Sequence, residues 1–135
     1  MEDIKQRFNE LRKEAVEEFN RYASLSDSPL KKERFDIMHE YYSFCVTLTN
    51  IISGIDALTL VASQEISNAD KHNEYSETEK LYGFFKILVD FRKALEDFLK
   101  ITEQYAKQET DVFVYQLNLQ ANLTIRRLLP LNIEL

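Results

Sequence analysis

The chain is poor in the residues that interrupt or cross-link a fold. Its 135 residues include two glycines, two prolines, one cysteine and no tryptophan. Glycine and proline usually make up about 7% and about 5% of a protein, and turn-rich β architectures need such residues at their turns. The scarcity therefore favours long helices with few connections. The lone Cys45 excludes an intrachain disulfide and fits a reducing compartment.

The sequence also lacks a basic tract. Lys and Arg number 17 against 23 Asp and Glu, so the net charge is −6, and the charges are spread along the chain. Without a basic stripe, binding to nucleic-acid phosphates has little support. The opening residues, MEDIKQRFNE, are charged throughout, unlike a signal peptide.

A long uncharged run is missing as well. The most apolar stretch lies between Glu40 and Glu65 and contains Asp56 together with several Ser, Thr and Asn residues. It is too polar for a membrane span and suits a helix buried inside protein. We therefore expect an acidic cytoplasmic protein with no membrane partner.

What the sequence does contain is enough apolar material for one core. Hydrophobic residues make up 44% of the chain, which predicts a single domain over residues 1–135. Apolar residues at spacings of three and four predict a first helix from about Glu2 to Ala23. The stretch SLSDSPL, residues 24–30, predicts a break, with Ser28 capping a second helix and Pro29 in its first turn. The stripe of the first helix consists of Ile4, Phe8, Leu11, Ala15, Phe19 and Tyr22.

The second helix is predicted to run to about Ser67 and to be the most buried element, because it is apolar on nearly all sides after Tyr41. The pair Ser53-Gly54 predicts a kink or a split into two helices. Asp56 is expected to cap the second half or to face water, whereas a buried Asp56 would be a partner-binding or acid–base group. The predicted stripe consists of Phe35, Met38, Tyr42, Cys45, Thr49, Ile52, Ile55, Thr59 and Ala62.

A polar connection over residues 67–79 precedes a third helix that is predicted to begin near Glu77. Ser76 and Glu79 have the spacing of a capping box. The stretch KQETD, residues 107–111, predicts a further break, with Thr110 or Asp111 as the next cap. The stripe of this helix consists of Leu81, Phe84, Leu88, Phe91, Leu95, Phe98, Thr102 and Tyr105.

The stretch FVYQLNLQANLTI, residues 113–125, alternates apolar and polar residues, a pattern typical of a half-buried strand. No convincing second strand is present to pair with it, apart from LPLNIEL at the end, so we favour a helix. As a helix it has two apolar stripes. One consists of Val112, Tyr115, Leu119 and Leu123, and the other of Phe113, Leu117, Ala121, Ile125 and Leu128.

The three other helices can cover only part of the apolar surface on the two sides of this segment. The rest needs a further partner. The predicted fold is an all-α, antiparallel bundle of three or four long helices whose C-terminal segment mediates oligomerisation. The predicted function is that of a non-catalytic protein-interaction module, joined to a second copy or to another protein. We expect the contacts to involve Tyr115, Leu119, Leu123 and Leu128.

One stretch resembles a catalytic motif. In RFDIMHEY, residues 34–41, Arg34, His39 and Tyr41 have the spacing R-x4-H-x-Y. This spacing resembles the active-site motif of HEPN-domain ribonucleases, which are small helical bundles that usually dimerise. The resemblance implies metal-independent cleavage of RNA through the ribose 2′-hydroxyl, by Arg34 and His39 of paired copies. His39 would act as general acid or base and Arg34 would stabilise the phosphorane charge.

The alternative interpretation of these residues is structural. Arg34 would pair with carboxylates near the helix start, and His39 would lie at the boundary of a buried stripe. We favour it because the motif opens the second helix here, whereas the family carries it late in the bundle. Asp36 and His39 match half of a di-iron ligand pattern, but no second acid-x-x-His motif exists, so no metal is expected. No cofactor is expected either, because two isolated glycines cannot form a phosphate-binding loop.

Overall fold

A computed structural model describes residues 2–23 and 33–133, and this part of the chain forms four α helices and no strand. They are α1 (Glu2–Ala23), α2 (Arg34–Lys71), α3 (Tyr75–Tyr105) and α4 (Thr110–Leu128). The stretch with alternating polarity is therefore helical, and the predicted all-α bundle is confirmed with four helices. The predicted start of the second helix at Ser28 and Pro29 lies outside the described residues.

The four helices form a ring. Each helix packs against the next one in sequence, and α1 also packs against α4. Neighbouring helices run antiparallel: Tyr41 on α2 contacts Thr102 on α3, while Asp56, further along α2, reaches back to Arg92. The helices α2 and α4 occupy diagonal corners of the ring. Their outer faces therefore point to opposite sides of the bundle.

Aromatic rings fill the core between the helices. Phe19 of α1, Phe44 of α2 and Phe98 of α3 meet edge to face, with ring centroids 4.8 to 5.4 Å apart, a geometry that the ring quadrupoles favour. Phe8 and Phe91 pack in the same way at 5.3 Å. The predicted stripe of α1 is buried throughout, and that of α3 is buried except at its last residue.

The predicted split of the second helix is wrong, because α2 is continuous. A Cβ atom built on Gly54 would lie 3.0 Å from Cδ1 of Leu11. This glycine therefore allows α1 to approach α2 closely and does not break the helix. Asp56 caps nothing. Asp56 instead faces water, which was the second of the two predictions made for it. Its Oδ1 accepts a hydrogen bond from Nε of Arg92 at 2.7 Å.

The predicted helix caps differ from the structure by a residue or two. α3 begins at Tyr75 with Glu74 in the capping position, so the predicted capping box at Ser76 is wrong. The break before α4 is confirmed, but Glu109 occupies the capping position and Thr110 is the first helical residue. Neither capping residue makes a side-chain hydrogen bond to its helix. Packing of the helix faces, rather than the caps, therefore decides where these helices begin.

The two glycines allow a direct test of the close approach at α1. No atom lies within 4 Å of a Cβ built on Gly83, in α3, and its backbone is not left-handed. Gly83→Ala is therefore expected to raise the free energy of unfolding by about 0.5–1 kcal/mol, the difference in helix propensity. Gly54→Ala has the same propensity gain but must displace Leu11, so its gain should be absent or reversed. Urea unfolding measures both; equal stabilisation would contradict the tight contact.

Candidate interaction site

The helix α4 has a buried and an exposed side, and these match the two predicted stripes except at one position. The buried side consists of Phe113, Leu117, Ala121, Thr124 and Leu128, whereas the predicted Ile125 is only partly buried. The other points away from the core, and its members are between 36% and 61% exposed. This second set is termed the α4 stripe and consists of Val112, Tyr115, Leu119 and Leu123.

Leu128 is a correction to the predicted interaction residues. It is fully buried, because it continues the core side of α4 one turn after Thr124. It therefore cannot contact a partner without unfolding the last turn. The other three predicted interaction residues are exposed on the surface: Tyr115, Leu119 and Leu123.

Hydrogen bonds on both flanks of α4 determine which side faces solvent. On the α1 flank, the amides of Asn118 and Asn122 donate to the carbonyl of Ala23. On the α3 flank, Arg127 donates to Asp97 at 2.9 Å, and this bond holds the pKa of Asp97 below its ordinary value. Because both flanks are attached to neighbouring helices, the α4 stripe is kept pointing outward.

The C-terminal end of α4 is held by α1. Nη2 of Arg12 donates to the carbonyl of Leu129 at 2.8 Å, and its Nε donates to that of Leu128 at 3.2 Å. Asn9 donates to the carbonyl of Ile133 at 3.1 Å. The last carbonyls of a helix lack intrahelical partners, and a cation there also complements the helix dipole. Arg12 therefore anchors the helix that carries the α4 stripe.

The helix α2 presents a second exposed apolar surface. The predicted stripe of this helix lies to one side of the observed core side, so Phe35 and Tyr42 are 78% and 61% exposed. Val46, Leu60 and Val61 extend this surface, and all five residues together are termed the α2 face. The residues on the core side are Ile37, Tyr41, Phe44, Leu48, Ile51, Ile55, Leu58, Ala62, Ile66 and Ala69.

The prediction that α2 is the most buried helix is therefore wrong. Among the described residues, α2 is the one helix that is long and apolar enough to cross a membrane, judged by length and composition alone. Only 28% of the 18-residue window that meets this criterion is buried. Core helices of water-soluble folds pass the same test, so the result is weak evidence for a span. The firmer conclusion is that several apolar residues on the outer side of α2 are exposed within the described part of the chain.

Arg34 and His39 do not form one site within the chain. Arg34 donates to the carbonyls of Ala106 at 2.6 Å and Gln108 at 2.7 Å, where α3 ends. The predicted pairing of Arg34 with carboxylates is thus replaced by capping of a helix C-terminus. His39 is exposed, and a separation of five residues turns it by about 140° around the helix from Arg34.

Tyr41, the third residue of that spacing, is a core residue. Its ring packs edge-on against Phe113 with centroids 5.0 Å apart. Its hydroxyl shares a buried hydrogen bond with Oγ1 of Thr102 at 2.9 Å, and Thr102 donates to the carbonyl of Phe98. Burial raises the pKa of Tyr41 above its ordinary value. A substrate at the surface cannot reach this hydroxyl, which corrects the catalytic role that the resemblance implied for Tyr41.

Other polar groups offer little for chemistry. No cluster of three or more metal-ligating side chains occurs within residues 2–23 and 33–133. Cys45 is partly buried, and burial raises the pKa of its thiol, which favours the unreactive protonated form. Two shallow cavities lie at one end of the bundle. One is lined by Glu65 and His72 among others, and the other by Lys5 and Lys80 beside apolar side chains.

Two kinds of surface residue were not predicted from the sequence. The outward residues of the α2 face had a signal, namely apolar residues on every side of the helix, but this was interpreted as burial. The anchoring roles of Arg12 and Arg34 had no local signal, because each bonds to backbone at least 72 residues away.

Comparison of the chain with models of known protein families, with curated proteins and with solved structures found no match. Its function must therefore be argued from its own surfaces, among which the α4 stripe and the α2 face expose several large apolar side chains.

Proposed function

We propose that this chain is a non-catalytic interaction module, a small helical subunit that binds another protein chain through the α4 stripe. One observation carries the proposal: Tyr115, Leu119 and Leu123 are exposed in a row on a helix whose opposite side is in the core. The partner is a second copy or a different protein. A reducing, cytoplasmic setting fits the single unpaired cysteine.

The composition of the α4 stripe supports this role. Interfaces are enriched in aromatic residues at their centre and have a polar rim. Tyr115 is the most exposed member at 61% and lies between aliphatic neighbours, so it has the position of an anchor residue. Asp111 and Arg126 mark the two ends of the row and are exposed. A partner with an apolar groove and charges beyond it matches this arrangement.

The support beneath the stripe favours tight binding. Arg12, Asn118, Asn122 and Arg127 attach α4 to its neighbours on both flanks and at its end. A surface that is already ordered loses less conformational entropy when a partner binds. The α4 stripe therefore has the preorganisation that an interaction surface needs.

The ribonuclease alternative gains no comparable support. Arg34 is engaged by carbonyls at the end of α3, and Tyr41 is buried in the core. The proposal of an interaction module needs neither residue at the surface.

The proposal is tested by placing a charge in the α4 stripe. Leu119→Glu is expected to reduce capture of the partner from native-host extract at least about tenfold, since a charge must then be desolvated at the interface. The matched control is Gln6→Glu, which adds the same charge to an exposed position on α1. Mass spectrometry of the captured chains, with circular dichroism to verify folding, gives the readout.

The control should bind as the unmodified protein does. If the Leu119 variant and the control capture the same partners in the same amounts, the α4 stripe is not the binding surface and the proposal fails.

A further inference from the structure

Four of the five members of the α2 face lie on one side of the helix, with a gap of 14 residues between the last two. Phe35, Tyr42, Val46 and Leu60 follow one another at intervals of 7, 4 and 14 residues, which return to the same side at 3.6 residues per turn. At 1.5 Å per residue the row is about 37 Å long. Between Val46 and Leu60 the exposed positions nearest the line of this row hold small residues, namely Thr49, Ser53 and Ala57, and Asn50 and Asp56 are exposed to either side of it.

We propose that two copies of this chain associate through the α2 face, with their α2 helices antiparallel. This inference goes beyond the proposed interaction through the α4 stripe, because the two surfaces point to opposite sides of the bundle. Three independent features of the α2 face support it, namely its area, its charge and its shape.

The area of the α2 face suits a dimer of identical chains. With about 150–250 Å² for each aromatic side chain and less for Val and Leu, the exposed fractions of its five members amount to roughly 500 Å² per copy. Two copies would bury about 1,000 Å², the size at which specific interfaces begin. The α4 stripe exposes roughly 300 Å² on the same basis, so the α2 face is the larger of the two surfaces.

The charge on the α2 face permits a second copy. The charged residues within its span, residues 35–61, are Asp36, Glu40 and Asp56. Only Asp56 lies in the segment 41–61, and it is paired with Arg92. Two copies with a net charge of −6 each therefore meet no unpaired like charges along that segment of the face.

The charge around the face argues against a lipid surface as its occupant. Helices that lie on membranes carry Lys and Arg along their polar side. The basic residues of α2 lie only at its ends, Arg34 and Lys71, against five acidic residues in the same helix. An anionic lipid surface would repel this arrangement.

The shape of the face indicates the antiparallel arrangement. Its first half is bulky, with Phe35, Tyr42 and Val46, whereas the next two turns are small, with Ser53 and Ala57. When two such helices run antiparallel, the bulky half of each lies against the small positions of the other. A parallel pair would place bulk against bulk and leave the small positions uncovered.

The first experiment compares self-association of four proteins by sedimentation across the micromolar range. The unmodified chain and the control Gln6→Glu should be dimers. Val46→Glu should weaken dimerisation about 100-fold, because a symmetric interface receives two desolvated charges at about tenfold each. Leu119→Glu should dimerise normally. Val46 is 61% exposed, so the substitution does not enter the core, and circular dichroism checks that the helices remain.

The second experiment tests the antiparallel register by mixing variants. Val46→Glu mixed with Ser53→Lys should restore dimers, because an antiparallel pair brings these positions together. Val46→Glu mixed with Val46→Lys should restore fewer dimers, because residue 46 of one copy meets residue 46 of the other only in a parallel pair. Restoration by the second mixture and not by the first would overturn the antiparallel arrangement.

Three further results would overturn dimerisation through the α2 face. A monomeric unmodified chain would overturn the inference, and so would dimers that Leu119→Glu dissociates and Val46→Glu does not. Flotation with vesicles of phosphatidylcholine and phosphatidylserine that Val46→Glu abolishes would also overturn it, by identifying lipid as the occupant. The proposed function is judged separately, since its test reads the capture of a partner by the α4 stripe.

Discussion

Replacing Phe98 by alanine is expected to lower the free energy of unfolding by about 3–5 kcal/mol. Phe98 is 2% exposed, and its ring lies 4.8 Å from that of Phe19 and 5.4 Å from that of Phe44. Truncation removes the edge-to-face contacts with both rings and leaves a cavity where α1, α2 and α3 meet. The walls are side chains of three different helices, so they cannot close the cavity without shifting a whole helix.

The matched control for this substitution is Phe35→Ala, which removes the same atoms from a side chain that is 78% exposed. Its effect should stay within about 0.5 kcal/mol, as for most surface substitutions. Both are measured by urea unfolding at a concentration where the chain is monomeric, because association would add to the apparent stability. Similar losses for the two variants would contradict the assignment of the core.

Replacing Thr102 by valine is expected to lower the free energy of unfolding by about 1–3 kcal/mol, although the two side chains have nearly the same shape. The Thr102 hydroxyl is buried between Tyr41 and the carbonyl of Phe98. Without it, the Tyr41 hydroxyl keeps only its hydrogen bond with the thiol of Cys45, and sulfur is a weak hydrogen-bond partner. The cost is the desolvation of that hydroxyl, which then has a weak partner in place of a strong one.

A double-mutant cycle separates this hydrogen bond from packing. Tyr41→Phe should cost less, about 1 kcal/mol, because Thr102 still donates to the carbonyl of Phe98. The double variant, Tyr41→Phe with Thr102→Val, should cost less than the sum of the single variants, since the hydroxyl that loses its strong partner is then absent as well. Additive losses would show that the two hydroxyls contribute independently and would refute the shared hydrogen bond.

The buried stripe of α1 could be predicted in full, because one apolar stripe against a charged side leaves a single way to bury the helix. The same logic predicted both stripes of α4, although only packing decides which stripe faces the core. In α2 the apolar stripe does not predict which side of the helix is buried. Apolar residues on every side give the helix no preferred orientation, and so Phe35 and Tyr42 were predicted to be inside while the structure exposes them.

The contacts that fix the helix ends could not be predicted at all. Arg34 reaches Ala106, and Arg12 reaches Leu129, across 72 and 117 residues of sequence. Local spacing instead favoured Ser and Thr caps, and the structure uses neither Ser76 nor Thr110 in that way. Intrahelical preferences of about 1 kcal/mol are easily exceeded by the burial of a helix face, which decides where α3 and α4 begin.

The diagonal placement of α2 and α4 has a consequence for any assembly. Two chains joined back to back along their longest helices would leave an α4 stripe at each far end of the pair. Such a pair can bridge two target molecules, or hold two sites of one target at once. The second attachment would then proceed at a high effective concentration, so modest affinity at each end would still give a long-lived complex.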